Sequence, residues 1–160
     1  MPIQSYPFLL PTQNGAQIYG QNSRPFLWVR ITNPANGRAV ITLALIDTGA
    51  DACAFPAETA CALGHDLHSV PYKKIHTANR ETNAFPHTSR LEILDVNPDG
   101  SENKDRVLYT IAEQLIDYTE GLGAFLLGRK DFLERFVVKI DYPKQKFSLR
   151  LPETKKKNRR

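Results

Sequence analysis

The feature that most constrains this chain is an apolar stretch that ends in a small polar turn. Residues 41–46 have the composition of a buried strand, and the turn DTGAD at residues 47–51 follows without a break. The Asp47 carboxylate therefore stands at the end of a buried element, where an unpaired charge costs roughly several kcal/mol or more. It must be hydrogen-bonded, paired or shifted in pKa. The sequence offers the Thr48 hydroxyl, the backbone N–H groups of a tight turn at Gly49, and a second copy of Asp47.

A strand that runs into Asp-Thr-Gly-Ala-Asp resembles the active-site loop of the retroviral-type aspartic proteases, the retropepsins. Three more stretches agree with that family in their order: RPF at residues 24–26, LLGR at 126–129 and DFL at 131–133. A lone Asp-Thr-Gly recurs by chance, but the ordered set is far more specific. The resemblance extends over residues 24–136 in outline.

The resemblance implies an all-β, mainly β fold. The expected architecture is a retropepsin-like acid-protease β-barrel with a short helix before the C-terminal hairpin and an active site at a two-fold dimer axis. The chain has 160 residues, of which 41% are hydrophobic and 24% charged, which suits one globular domain with a real core. We expect an N-terminal arm at residues 1–20, the protease domain at 21–152 and a basic, disordered tail at 153–160.

Hydrophobic periodicity and turn residues predict the elements that connect these motifs. Clusters of Asn, Pro and Gly separate the predicted strands, and one Ala-rich segment has proline near its start and glycine at its end, as helices often do. The predicted strands are 26–31, 39–46, 70–77, 84–96, 106–118, 124–127, 136–141 and 145–151, and the predicted helices are 55–64 and 129–135.

Aspartic proteolysis needs two carboxylates about 3 Å apart that share one proton, because like charges that close cannot both ionise. The sequence contains one Asp-Thr-Gly turn. A catalytic site therefore demands two chains, with Asp47 and its copy meeting on a two-fold axis. The resemblance implies that Thr48 links the paired loops by hydrogen bonds and that Gly49 bonds substrate through its carbonyl. Ala50 completes this active-site loop.

The resemblance also implies a supporting ion network. In the family, an Asp at the position of Asp51 pairs with the Arg that follows the glycine, here Arg129, and with an Arg of the other subunit, here Arg24. The planar guanidinium suits carboxylates, so such a network is physically reasonable. The alternative is that these are three ordinary surface charges, which would contribute little.

The family places its flap, the hairpin that closes over substrate, at the turn-prone segment 78–83. The flap candidates are Asn79, Arg80, Glu81 and Thr82. The sequence departs here from the glycine-rich flap of the retroviral enzymes, because residues 72–90 contain no glycine. Asn tolerates unusual backbone angles less freely than glycine does. The sequence therefore does not decide whether this flap closes over substrate or bonds it through its backbone.

Other kinds of site receive little support. The four histidines include a His-x-x-His pair at His65 and His68, but nothing completes a metal-ligand spacing, so we expect surface or turn histidines, no metal and no cofactor. Cys53 and Cys61 lie among apolar residues, and we expect two buried, unpaired thiols. The candidates for lining substrate subsites are apolar side chains near Ala50, Ala84, Phe85 and Leu126.

Charge and hydropathy limit which partners and which cellular compartment we expect. The net charge of +4 is concentrated in the C-terminal KKKNRR, which predicts a solvated tail, and we do not expect nucleic-acid binding. No apolar run is long enough to cross a membrane, and the N-terminus lacks a secretory signal. We therefore expect a cytoplasmic homodimer that acts on peptide or protein substrates and does not bind a membrane.

The leading hypothesis is a homodimeric aspartic endopeptidase in which Asp47 and its copy activate a water. A rival hypothesis keeps the fold without turnover, as a catalytically weak or inactive module that binds peptides or proteins. The glycine-free flap and the long segment between Asp47 and Gly128 favour this rival, whereas the intact Asp-Thr-Gly opposes it. A weaker third reading is a basic-tailed nucleic-acid-associated protein, whose binding would fall strongly with salt.

Overall fold

The chain is mainly β, as predicted. A computed structural model describes residues 4–12, 15–18 and 22–153. The part of the predicted tail at 154–160 lies outside the described residues. The helical elements are α1 (Ala57–Ala62) and the 3₁₀ turns Leu67–Ser69 and Leu133–Arg135. The strands are β1 (Gln4–Pro7), β2 (Leu9–Thr12), β3 (Gly15–Ile18), β4 (Phe26–Thr32), β5 (Ala39–Ile46), β6 (Ala54–Pro56), β7 (Lys73–His76), β8 (Glu81–Val96), β9 (Glu102–Thr119), β10 (Leu126–Leu127), β11 (Val137–Asp141) and β12 (Lys146–Arg150).

Six strands close into a barrel. They follow the order β4-β5-β10-β6-β9-β8, and β8 pairs again with β4 to complete the ring. Most neighbours are antiparallel, but β10 runs parallel to β5 and β6 runs parallel to β9. Closure leaves no free edge among these strands, and β7 extends the sheet outside the ring from the first part of β8.

The closure depends on the bending of β8. Its pairing with β9 changes register between Ser89 and Leu91 and again on both sides of Leu94. Extra residues of this kind bend a strand and increase its twist. The first part of β8 can therefore pair with β7, while residues 90–93 pair with β4, for example Ile93 opposite Val29.

The barrel is filled by alternating side chains of its strands. Leu27, Val29 and Ile31 of β4 are fully buried, as are the aromatic rings of Phe55 and Tyr118, which meet edge to face at 6.3 Å. Burying each such side chain stabilises the fold by about 1.5–3 kcal/mol. Residues of the opposite face of β4 form a second cluster, in which Trp28 packs with Leu9 and Leu94 and its indole N–H donates to the Gly100 carbonyl at 2.9 Å.

A separate three-stranded sheet joins the two ends of the described chain. Its order is β1-β12-β11, and β11 and β12 form the predicted C-terminal hairpin. The ring of Tyr6 stacks on Phe147 with centroids 5.0 Å apart. The described part of the predicted arm at residues 1–20 thus pairs with its own chain through β1, and continues in the hairpin of β2 and β3.

The two predicted helices fare differently. The helix expected at 55–64 is present as α1, whereas the one expected at 129–135 is reduced to the 3₁₀ turn Leu133–Arg135. Non-local pairing explains the loss, because the Lys130 N–H donates to the Asp51 carbonyl at 2.9 Å. Asp131 then has φ +62, which cannot continue a right-handed helix.

Candidate active site

Asp47 is delivered by two parallel strands. Leu45 and Ile46 of β5 pair with Leu126 and Leu127 of β10, and the Asp47 N–H donates to the Leu127 carbonyl at 3.1 Å. Ile46 and Leu127 are buried, whereas Asp47 is half-buried. The carboxylate therefore stands where the buried strand ends, as the sequence predicted.

The turn after Asp47 holds its carboxylate through the backbone. The Gly49 N–H donates to Asp47 Oδ1 at 3.0 Å, and the Ala50 N–H donates to the Asp47 carbonyl at 3.2 Å. Among the described residues no donor reaches Oδ2. Thr48 and Gly49 are exposed, and the Thr48 hydroxyl has no hydrogen-bond partner in the described part of the chain. One carboxylate oxygen is thus positioned, and the loop surface around it is uncovered.

A second loop crosses under the first at Gly128. A Cβ at this position would overlap the Ala52 carbonyl and lie 2.8 Å from the Ala50 carbonyl oxygen. On either side of the crossing, the N–H groups of Arg129 and Lys130 donate to the carbonyls of Ala50 and residue 51, each at 2.9 Å. The glycine of the LLGR motif is therefore required by steric contact with the Asp47 loop.

The structure brings together two of the three residues of the predicted ion network. Arg129 Nη2 lies 3.3 Å from Asp51 Oδ1, but the two side chains are 68% and 94% exposed, so this contact alone contributes little stability. The exposed Arg24 side chain forms no ion pair with the described residues, although its backbone bridges to Leu9. The participation of Arg24 from another chain stays a prediction.

A cleft of about 1140 Å³ opens above the Asp47 loop. Its floor is formed by the Asp47 loop, its roof by the hairpin of β7 and β8, and one wall by the segment that leaves β9. Charged, polar and small apolar residues all contribute. The lining residues are Asp47, Gly49, Ala50, Asp51, Ala52, Ala54, Lys74, Ile75, His76, Thr77, Ala78, Asn79, Arg80, Thr82, Thr119, Glu120, Gly121, Leu122, Gly123 and Leu126.

The predicted flap, the hairpin of β7 and β8, lines the same cleft as the Asp47 loop. Its turn spans residues 77–80, earlier than the predicted 78–83, because the pairing of β7 with β8 continues as far as Glu81. The Thr77 hydroxyl closes the turn by donating to the Arg80 carbonyl at 2.9 Å. Asn79, Arg80 and Thr82 share the cleft with Asp47.

Glu81 alone among the four flap candidates does not line this cleft. It pairs with Lys74 at 2.8 Å in a smaller cavity of about 280 Å³ on the same hairpin. The smaller cavity is also lined by Arg80, Thr82, Asn83 and Glu120. Arg80 and Thr82 thus line both cavities, whereas Asn79 lines only the cleft and Glu81 only the smaller cavity.

The flap is fastened to the end of β9 by its own chain. The Thr82 hydroxyl donates to the Glu120 carbonyl at 2.8 Å, and the Glu120 N–H donates to the Asn83 carbonyl at 3.0 Å. At the base of the hairpin, Lys73 Nζ lies 2.8 Å from the buried Asp117 carboxylate. Sequence reasoning missed this wall, although the glycines of the EGLG segment at 120–123 are a signal of unusual backbone conformation, such as the φ of +67 at Gly121.

The four subsite candidates comprise two residues that line the cleft and two that do not. Ala50 and Leu126 line the cleft. Ala84 and Phe85 do not, because they are buried at 0% and 4% exposure, where β8 turns its apolar side chains into the protein. The prediction for these two residues is wrong.

Two of the four histidines are exposed, as predicted, and the other two pack against each other. His65 and His87 stack with centroids 4.9 Å apart, and His65 Nε2 lies 3.0 Å from the hydroxyl of the buried Ser89, which bonds Tyr118 at 2.8 Å. Burial, and then the neighbouring His87, lower the pKa of His65, while burial raises the pKa of Tyr118 to about 12. These two histidines thus belong to a packed polar cluster, in which His87 is buried and His65 half-buried.

The two cysteines have opposite environments. Cys53 is fully buried, and burial raises the pKa of its thiol to about 12, so it behaves as a small apolar residue, as expected. Cys61 is exposed on α1, which corrects the prediction of two buried thiols. Within the described ranges, no group of three or more His, Cys, Asp or Glu is placed to hold a metal ion. Nor does that part of the chain contain a helix long and apolar enough to span a membrane.

Comparison with known proteins gives one kind of match. No protein-family profile and no curated protein sequence matches this chain. Among solved structures it is similar to a retropepsin-like aspartic protease from Rickettsia conorii, with a TM-score of 0.51 and 22% identity over 92% of this chain and 90% of that chain. The chain therefore has the retropepsin-like fold that its motifs predicted.

Proposed function

We propose that this chain is a homodimeric aspartic endopeptidase, in which a water held between Asp47 of one protomer and the same residue of its partner attacks a peptide bond. The observation that carries the proposal is the position of the Asp47 carboxylate on the floor of the cleft, with one oxygen held by the Gly49 N–H. The cleft exceeds the roughly 300–1000 Å³ of ordinary small-molecule sites, which suits an extended peptide.

The chemistry requires the two carboxylates to act as a unit. One proton is shared between them, so one group is the base that takes a proton from water and the other is the acid that donates to the scissile carbonyl. No covalent intermediate forms. The pair titrates with two macroscopic pKa values that belong to both residues. The backbone bond from Gly49 leaves Oδ2 of each Asp47 available for this exchange.

Exposure around the loop supports the need for a second chain. Thr48 has an exposed hydroxyl with no hydrogen bond to the described residues, and Asp51 is 94% exposed. A partner chain would cover Thr48 and bring its own Arg24 to the pair of Asp51 and Arg129. Two donors on one carboxylate, shielded from water, would stabilise the dimer far more than the exposed contact does.

We also infer a cytoplasmic location from the cysteines. Both cysteines are free, and Cys53 is fully buried. Free thiols are typical of proteins that work in reducing compartments.

The test is the cleavage of a mixed peptide library between about pH 4 and pH 8, where aspartic dyads change protonation. Wild-type protein is compared with Asp47→Asn and with wild type plus a statine-type inhibitor. We expect cleavage by the wild type only, with Asp47→Asn equally folded by circular dichroism and equally stable to urea. Cleavage that persists in Asp47→Asn would contradict the assigned catalytic residue.

A peptide-binding module is the second candidate, favoured by the glycine-free flap that its own chain fastens to Glu120. A protein of this kind would bind peptides in the cleft without cleaving them. Dimeric wild type that captures library peptides and leaves every one intact across the pH range would favour this candidate over the protease.

A further inference from the structure

The side chain of Arg80 occupies a defined position in the cleft. It lies at the end of the flap turn, where its backbone is fixed by the Thr77 side chain, and its guanidinium rests on Gly121. A Cβ at Gly121 would overlap this guanidinium and lie 2.8 Å from its central carbon, and the glycine has φ +67. The absence of a side chain at 121 therefore creates the place that the guanidinium occupies.

The Arg80 guanidinium lines the cleft and forms no ion pair with a carboxylate of the described residues. Lys74 is paired with Glu81 at 2.8 Å, and the Asp51 carboxylate is near Arg129. Glu120 lines the cleft but accepts from Asn83 and forms no ion pair with Arg80. The N–H groups of the Arg80 guanidinium thus remain available above the cleft.

We propose that Arg80 is a specificity-determining residue that selects peptides with a Glu or Asp side chain in the subsite beneath the flap turn. This inference rests on the proposed function and names its substrate class. A guanidinium presents parallel N–H donors in a planar fork, which matches a carboxylate in a two-bond arrangement. The bound peptide covers the exposed side chain and excludes water, so the pair is worth more in the complex than on the open surface.

The first test compares matched peptides that differ only by Glu or Gln at one position, scanned along the cleavable sequence. At one position we expect wild-type kcat/KM to favour Glu by roughly five- to tenfold, the size typical of a charge-assisted contact that is partly shielded. In Arg80→Gln the ratio of the two peptides should fall to about one. Arg80→Lys should keep a smaller preference, because an ammonium makes a point contact and not a fork.

A second variant fills the space at Gly121 that the guanidinium occupies and leaves the arginine itself unchanged. Gly121→Ala places a Cβ into the guanidinium and should reduce the Glu preference at the same peptide position. The control is Gly37→Ala, since Gly37 also has positive φ, at +74, but has nothing within 4 Å of an added Cβ and lies in the turn at the far end of β5. This control carries the backbone strain without the contact and should keep the preference.

Binding separates failure of this inference from failure of the proposed function. Fluorescein-labelled Glu and Gln peptides are titrated against Asp47→Asn protein and against the double variant Asp47→Asn with Arg80→Gln. Tighter binding of the Glu peptide that depends on Arg80 would support the inference even if no peptide is cleaved. Cleavage or binding with equal preference for Glu and Gln at every position, or a Glu preference that survives Arg80→Gln, would overturn it.

Discussion

The floor and the roof of the cleft are built by different kinds of contact. The floor, residues 47–52 with 126–130, is held by backbone hydrogen bonds and by a crossing that admits only glycine at Gly128. The roof, residues 73–83 with the wall at 119–123, has strand pairing and a backbone bond from Glu120 to Asn83, and depends in addition on side-chain contacts of Lys73 and Thr82. Main-chain bonds in a packed crossing fix a geometry, whereas exposed side-chain contacts open at low cost.

This difference fits the demands of the proposed chemistry. A carboxylate pair must be placed to within a fraction of an ångström, so its support needs to be rigid. The roof must open to admit a peptide and then close over it, which weak and separate contacts allow. We therefore expect substitutions in the floor to unfold the protein and substitutions in the roof mainly to loosen it.

The largest effect is expected at the floor crossing. Gly128→Ala forces a Cβ into the Ala52 carbonyl, and because backbone atoms on both sides must move, we expect a loss of about 3 kcal/mol or more of unfolding free energy. Urea denaturation gives the value. Gly123→Ala, whose Cβ meets nothing within 4 Å, is the stability control in the same cleft. Equal stability of the two variants would show that the crossing is not rigid.

The anchor of the roof should have a moderate effect. Lys73→Met leaves the buried Asp117 carboxylate without its ion partner, and its Oδ1 already lacks a hydrogen-bond partner among the described residues. We expect about 1–2 kcal/mol of destabilisation, reduced because Lys73 is half exposed. Lys74→Met breaks only an exposed pair and should cost about 0.5 kcal/mol or less. Reversal of this order would contradict the assignment of the anchor.

The polar cluster around His65 should give a pH dependence. Since the folded chain lowers the pKa of His65 below its ordinary 6.5, the unfolded chain binds the proton more readily. Unfolding free energy should therefore fall as the pH drops from 6.5 through the lowered folded value, and level off below it. Urea titrations over this window should show that the unfolding free energy changes less with pH in His65→Gln than in wild type, because the variant lacks the imidazole next to His87 and Ser89. Identical slopes would exclude His65 as the source.

The smallest global effect is expected at the fastening of the flap. Thr82→Val removes the hydrogen bond to the Glu120 carbonyl and should cost about 0.5–1 kcal/mol. Hydrogen exchange should nevertheless accelerate at residues 73–83 and remain unchanged in the floor. Thr110→Val is the control, since Thr110 is an exposed residue of β9 away from the hairpin. Faster exchange in floor and roof together would show that the two regions open as one unit.

Sequence reasoning reached the floor more completely than the roof, for a physical reason. The loop of Asp47 and the crossing at Gly128 each require particular residue types for their backbone geometry. Their motifs can therefore be recognised in the sequence. The shortened helix at 129–135 was not predictable locally, because Lys130 is drawn into a bridge with Ala52.

The roof and the histidine cluster depend on contacts between distant segments. The position of the flap turn follows from how far β7 pairs with β8, and Glu120 meets Asn83 because the pairing of β8 with β9 extends that far. His65 and Ser89 lie far apart in sequence and carry no shared pattern. Contacts of this kind are set by tertiary structure and leave little local trace.

The most direct test of the central claim is a mixing experiment with wild type and Asp47→Asn. The two are unfolded together, refolded at constant total concentration and assayed for peptide cleavage. If each site needs one Asp47 from each of two chains, activity falls with the square of the wild-type fraction, to about one quarter at equal amounts. A linear fall, to about one half at equal amounts, would mean that a single chain carries out the reaction and would contradict the shared site.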